Sequence, residues 1–330
     1  MKLTINEIAE MAQVAKSTVS KALNGQKGVS EENRKRILNI VRQVNFQPNS
    51  AARALAQNKT GTIGFVLPHE AAFSLSGVYW AGIVTAVAAE VSKRGGNLMV
   101  ITPSEDAENP FASLESIIRR RIVDGLIIGA EQLDTKSMMS ILMEDIPFVF
   151  IGRNAVLQHY CVDVNNTEGA AAVVSQLINH GYKHIACITG PADYLYTQDR
   201  ITGFTDAMNA ANLDGTRIVH TSYLEEDTRK NTAKLTERYP DTDALFITAG
   251  GEFVLTILET LRLSGISLRG FGFGVFDDSR IFDFLDFPII TAKQPIKRLG
   301  STAAQLLFDL IEGTPPAQTV CWLPVDIVLR

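Results

Sequence analysis

Residues 16–24 bring together Lys16, Ser17, Thr18, Ser20, Lys21 and Asn24, which are two ammonium groups, three short hydroxyls and an amide in one run of helical length. Ammonium groups attract phosphate, hydroxyls and amides bond phosphate oxygens, and donors on a helix lying in a groove reach base edges. That is the chemistry of nucleic-acid recognition. Lys16, Ser17 and Lys21 are placed to read bases, with Thr4, Thr18, Ser20 and Asn24 holding phosphates. Other candidate chemistry is weaker. His180 and His184 have the spacing of a metal pair, but Gly181 interrupts the helix that would align them, so no metal site is expected. GFGFG at 270–274 departs from a phosphate-binding GxGxxG loop and suits a buried strand end. Asp277-Asp278 reads as a ligand-and-cap pair, and Arg119–Arg121 as a solvated helix end. No nucleophile, base and orienting group form a set, so neither an enzyme nor a cofactor is expected.

The elements that must present these groups can be read from capping and periodicity. Thr4-Ile5-Asn6-Glu7 is a capping box, and Ile5, Ile8, Ala9 and Ala12 behind it share a helical face. A turn through Gln13-Val14-Ala15 leads to a second helix, Lys16 to Leu23, burying Val19, Ala22 and Leu23. A third starts at Ser30, with Glu31 and Glu32 at its positive end, and should bury Ile37, Leu38, Val41 and Val44. Two short helices at a tight turn, propped by a third, make a helix-turn-helix.

The chain has 330 residues, 46% apolar and 20% charged, enough for more than one folded domain. Residues 1–60 hold ten Lys/Arg against four Asp/Glu, whereas the remainder holds 21 against 32. A basic head on an acidic body fits a phosphate-binding module joined to a sensor. No apolar run is long enough to span a membrane, and the N-terminus lacks a signal-peptide core. Cys161, Cys187 and Cys321 are isolated, which suggests incidental thiols in a reduced, cytoplasmic protein. From Gly61 onward, short apolar runs alternate with helical patterns: TIGFVLP, NLMVIT, DGLIIG and PFVFIG, then HIACITG, RIVHT, DALFIT and GFGVF. This alternation predicts parallel sheets with helices on both faces, in two similar lobes around a cleft, with Val162–Asn166 between the two strand sets.

TINEIAEMAQVAKSTVSKALNG, followed by VSEENRKRI and NFQPNSAARALA, resembles the headpiece of the lac repressor / gal repressor family. The resemblance runs the length of the chain. It implies an all-α helix-turn-helix headpiece over 1–47, a hinge helix and linker over 48–60, and a periplasmic-binding-protein-like effector and dimerisation domain over 61–330. Within the last, the N-lobe is expected at about 61–163 and 293–323, and the C-lobe at about 164–292 and 324–330. Ser30, Asn49, Ala52, Arg53 and Leu55 join the expected DNA contacts, with Leu55 as a minor-groove wedge and Arg53 beside it. Isolated, so short a hinge helix is marginal in water, so the state of the sensor can decide whether it forms. Two departures stand out. Ala15 replaces the family's usual serine, and Lys21 its commoner arginine.

In the sensor, Arg200 in QDRITGF, Asp277 in VFDDS and Gln294 in TAKQP match effector-contacting positions, and Arg153 is a further candidate. An arginine fork and a carboxylate across a cleft can clamp vicinal hydroxyls. Of Phe73, Tyr79 and Trp80, Phe73 is expected to cover a sugar face and the other two to sit in the core or a dimer contact. Where the family usually has Asn-Asp, this chain has Gly250-Gly251, which is read as leaving room for a bulkier sugar such as a disaccharide. The implied function is a repressor whose hold on a pseudo-palindromic operator is set by a small-molecule effector, most simply a sugar. A purine- or other-metabolite-responsive regulator and a solute receptor without a transcriptional role are the alternatives. The sequence stops at VDIVLR without leucine heptads, so a homodimer rather than a tetramer is expected.

Overall fold

The computed structural model describes residues 3–23, 27–44, 46, 59–68, 78–103, 111–129 and 135–330, which divide into two compact units, Met1–Thr60 and Gly61–Arg330. In the first unit, α1 (Ile5–Met11) opens on the expected capping box: the Glu7 amide donates to Thr4 Oγ1, and the Thr4 amide to Glu7 Oε2 at 2.6 Å. Gln13, at a φ of 53°, turns the chain into α2 (Lys16–Leu23), and α3 (Glu31–Gln43) is capped by Ser30, which accepts from the Asn33 amide. Ile8, Ala9, Ala12, Val19, Ala22 and Ile37 form the shared core, with Leu23, Val41 and Val44 packed against it. One expectation is corrected. Ile40 joins this core, while Leu38 is only half-buried and packs outside it.

The second unit contains two six-stranded sheets. The first follows the order β11-β5-β4-β3-β1-β2, with β1 Thr62–Val66, β2 Asn97–Ile101, β3 Gly125–Gly129, β4 Phe148–Ile151, β5 Cys161–Val164 and β11 Val320–Leu323. All its pairings are parallel. On one face lie α4 (Val78–Lys93) and α11 (Ile296–Ile311), and on the other α5 (Ala112–Arg119) and α6 (Thr135–Met143). The second sheet follows β12-β10-β9-β8-β6-β7, with β6 Ile185–Thr189, β7 Ile218–His220, β8 Ala244–Ile247, β9 Gly272–Phe276, β10 Ile290–Lys293 and β12 Asp326–Leu329. Its helices are α7 (Asn166–Asn179) and α8 (Leu195–Ala210) on one face, and α9 (Glu225–Arg238) and α10 (Glu252–Leu263) on the other.

The chain passes between the sheets three times, after β5, after β10 and after β11. This explains the one departure from the all-parallel expectation. β10 leaves the second sheet and β12 returns to it, so the two pair antiparallel. Gly203 lets α8 settle on α7, since a Cβ there would clash with the Thr167 carbonyl oxygen. The thiols of Cys161 and Cys321 occupy opposite faces of the first sheet, because Cys161 pairs with Val320 and Cys321 with Val162. Burial, aided by the nearby Asp163 carboxylate, pushes the Cys161 thiol up to about 12.

At the start of α2 the Ala15 carbonyl accepts from the Thr18 and Val19 amides, but its methyl cannot cap the remaining amides. Ala15→Ser should therefore stabilise α2 by about 1 kcal/mol, measured as slower amide exchange in residues 16–23 of the full chain. Unchanged exchange would show that the helix start is satisfied without a hydroxyl.

Candidate functional site

In the first unit, Lys16, Ser17 and Lys21 stand exposed on α2, with Thr18 and Ser20 half-buried at its shoulders. Burial of Val19 and Ala22 fixes which side of the helix these groups occupy. The hydroxyls of Thr4 and Ser30 serve as helix caps. Asn24, Asn49, Ala52, Arg53 and Leu55, and with them nearly all of the expected hinge, lie outside the described residues, as does Phe73 in the sensor.

In the second unit, Arg200, Asp277 and Gln294 gather beyond the C-terminal ends of the second sheet's strands, where open α/β sheets bind ligands, while Arg153 follows β4 of the first sheet. Arg200, on α8, is 5% exposed. Its Nε donates to Asn166 Oδ1 at 2.8 Å, its Nη1 to the Thr248 carbonyl, and its guanidinium lies 3.6 Å from the ring centre of Phe276. The Tyr196 ring lies on it at 4.9 Å, and the Tyr196 and Tyr223 hydroxyls are hydrogen-bonded. These contacts leave Nη2 of Arg200 without a partner among the described residues.

Asp277 follows Phe276 with a φ of 90°, an unfavourable conformation for a side-chain-bearing residue and one concentrated at functional sites. It is held there by three bonds. The Asp277 amide donates to the Ala292 carbonyl, Gln294 Nε2 donates to Oδ1 at 2.5 Å, and the Gly250 amide donates to Oδ2 at 3.4 Å. Gln294 is thus a direct partner of Asp277. Asp278 is not a helix cap: Arg330 grips both its oxygens, at 2.8 and 2.6 Å, and holds it below the usual carboxylate range, while Ser279 caps the 3-10 turn Arg280–Phe284.

The room expected at Gly250 is filled. A Cβ there would lie 2.8 Å from Asp277 Cβ, so this glycine serves the approach of the Asp277 loop. At Gly251, with a φ of 69°, nothing lies within 4 Å of the place a methyl would take, and open space remains. Trp80 is core, edge-on to Phe65 at 6.2 Å, and Tyr79 packs beside it.

Arg153 bonds two carboxylates, Asp163 through Nε at 3.3 Å and Asp199 through Nη2. Burial works against its charge, but Asp199 and then Asp163 more than offset that and raise it above the ordinary arginine value. Asp163 sits deeper, and burial raises it despite the Val164 amide and Arg153. Asn166 links the groups, accepting from Arg200 and donating to Asp163 Oδ1 and the Val164 carbonyl. Sequence reasoning missed Asn166, Asp163, Asp199 and Thr248. A trace of them was present in the polar residues at 163, 165 and 166, which interrupt an otherwise apolar strand end.

Two family models match: "Bacterial regulatory proteins, lacI family" over residues 4–49, and "Periplasmic binding proteins and sugar binding domain of LacI family" over residues 60–321. The chain belongs to the LacI family. As a LacI-family protein it is a DNA-binding transcriptional regulator, in a family of regulators rather than enzymes. It is 28% identical over 330 residues to the HTH-type transcriptional regulator CelR of Thermobifida fusca, covering 96% of this chain and 95% of that one. A solved complex of the transcriptional regulator CelR with cellobiose superposes with a TM-score of 0.76 at 26% identity, over 99% of both chains. The lac repressor dimer bound to operator and the anti-inducer ONPF shares the fold, with a TM-score of 0.81 at 21% identity over 99% of this chain and 98% of that one. No described helix of this LacI-family chain is long and apolar enough to cross a membrane.

Gly250→Ala should push the Asp277 loop away and destabilise the second unit by about 1–3 kcal/mol, seen as a lower urea midpoint. An unchanged midpoint would mean the loop yields freely.

Proposed function

We propose that this chain is a repressor that binds a pseudo-palindromic operator as a homodimer and is released by a neutral disaccharide of the cellobiose type. The observation that carries the effector reading is that Arg200, against the Phe276 ring, and Asp277, next to Phe276 in the chain, are each hydrogen-bonded to neutral groups alone. Arg200 is aimed by neutral partners, Asn166 and the Thr248 carbonyl, and Asp277 by neutral partners, Gln294 and the Gly250 amide. Neither is hydrogen-bonded to an opposite charge, although the Asp163 carboxylate beyond Asn166 is felt by Arg200, so a fork with a nitrogen unpartnered among the described residues and a carboxylate remain for hydroxyl groups. Arg153, a nearby cation, is already matched by Asp163 and Asp199, which leaves little of its charge for a phosphate. The likeness to CelR, solved with cellobiose, supports a disaccharide in size.

On the DNA side, Lys16, Ser17 and Lys21 are assigned to base edges and Thr18 and Ser20 to phosphates, with Thr4 and Ser30 combining capping with phosphate contact. Asn24, Asn49, Ala52, Arg53 and Leu55 complete the set, the last as the wedge. A homodimer is supported by the operator-bound dimer that shares the fold, and by Phe284 and Leu263, 89% and 76% exposed, which are large apolar groups to leave in water. The protein acts in the cytoplasm, where operator DNA is, and turns nothing over.

Calorimetry on the full chain tests the effector. Cellobiose should bind wild type, a phosphorylated disaccharide should bind more weakly, and Arg200→Ala should cost at least tenfold in affinity. Retention of cellobiose affinity by that variant would remove Arg200 from the site. On DNA, Lys21→Ala should cost about 1–3 kcal/mol and relax preference at one base position. Equal weakening on all sequences, measured by competition binding, would make Lys21 a phosphate contact instead.

A further inference from the structure

Arg153 lies where the chain crosses between the two lobes. On the first-lobe side it follows β4 and bonds Asp163 of β5, while its guanidinium lies 5.2 Å from the Trp322 ring centre on β11. Asp163 and Trp322 are register partners on neighbouring parallel strands, so Arg153 rests on one continuous face of the first sheet. Both strands run directly into crossings, β5 into α7 at residue 166 and β11 into β12 at residue 326. The far end of the guanidinium reaches Asp199 on α8, which belongs to the second lobe, one residue before Arg200.

We infer that the Arg153–Asp199 ion pair is a latch between the lobes, helping to hold them at their present spacing. Arg153 is then a positioning residue and not an effector contact. What it positions, the cleft around Arg200 and Asp277, rests on the function proposed above.

The two ends of the pair differ in the way a latch requires. Asp163 is 8% exposed, and losing Arg153 would leave a buried carboxylate without its cation. Asp199 keeps a quarter of its side chain in water, so it can let go and be hydrated while Arg153 stays paired with Asp163. Release therefore happens at the second-lobe end. The bond is also shielded enough to matter, because part-buried pairs are screened less than exposed ones. Asp199 and Arg200 are consecutive on one rigid helix, so a pull on either is felt by the other.

Hydrogen exchange on the ligand-free, full-length protein tests the latch. Asp199→Asn, which keeps the side-chain shape, should raise exchange severalfold at the two crossings, residues 161–166 and 320–326, and leave β1 and β6 unchanged. Asp199→Glu should restore protection. In wild type, 1 M KCl should raise exchange at the same crossings, with a smaller effect on Asp199→Asn, which covers the case where the variant folds poorly. Crossings as protected in Asp199→Asn as in wild type would overturn the proposal. So would a rise spread through α8 and the second sheet, or no recovery with glutamate. No sugar is present, so this outcome is separate from the calorimetric test of the effector.

Discussion

A guanidinium buried to 5% exposure places demands on everything around it. Taking a charged group out of water costs several kcal/mol unless acceptors replace the lost hydration, and Arg200 draws its replacements from three directions. The Thr248 carbonyl must stand free just past the end of β8, the Phe276 ring must lie flat against the cation, and the Asn166 amide must turn its oxygen inward. The Asn166 oxygen is turned inward because its nitrogen is engaged by Asp163 and the Val164 carbonyl. Asp163, itself buried, requires a cation, which is Arg153. The tight seat of α8 on α7 at Gly203, one turn along the same helix, brings Arg200 within reach. One buried charge thus organises polar groups on both sides of the first crossing.

The two units reach stability by different means. Among its described residues the first has six buried apolar side chains with partly buried ones packed on them, a small core, so its helices depend on caps: the Thr4–Glu7 box, Ser30, and Arg34 donating to the Ala22 carbonyl at the end of α2. The second buries both faces of two sheets, with Phe204 stacked on Phe246 behind one and Phe148 on His159 beside the other. Its core tolerates a strained residue such as Asp277 because three hydrogen bonds hold the loop in place. Function is divided accordingly, with a light, basic reader and a heavier, two-lobed sensor.

Much of this was legible in the residues. The capping box, the Lys16–Leu23 helix and the buried runs of β1, β3, β4, β6, β8 and β9 follow from capping and periodicity, since a strand covered on both faces reads as continuous apolar sequence. β2 and β7 are apolar enough to be read although they are partly exposed edges, whereas β5, interrupted by Asp163, and β10 do not read as strands. β11 and β12 are less plain because they lie at sheet edges. Cys321 and Trp322 are partly exposed, and Ile327 and Leu329 are open to water, so the buried-run signal is diluted. Leu38 and Ile40 differ by two positions on α3, and only the actual placement of α1 and α2 decides which is covered. Arg200 and Asp277 could be placed from their motifs. Their supports could not, because an asparagine after a strand reads first as a helix cap, and a backbone carbonyl such as that of Thr248 has no sequence signature. Gly250 shows the limit most directly: a missing side chain suggests a vacancy, whereas here a neighbouring loop fills it.

The return of β12 to the second sheet also affects how the protein is made. Synthesis runs from the N-terminal side, and the strands from β6 to β10 emerge long before residues 326–330. Until those residues arrive, β10 has an open edge and Asp278, beside the strained Asp277, lacks Arg330. The first sheet waits as well, since α11 and β11 come after every strand of the second sheet but β12. Neither lobe is a finished object while the ribosome is still working on the other. Contacts between residues so far apart in the chain slow folding and prolong exposure of unpaired edges. Among the described residues, the headpiece core is drawn from positions 5–46, with Phe46 packed against it. A nascent chain therefore carries a folded DNA-reading head well before it has a sensor to govern it.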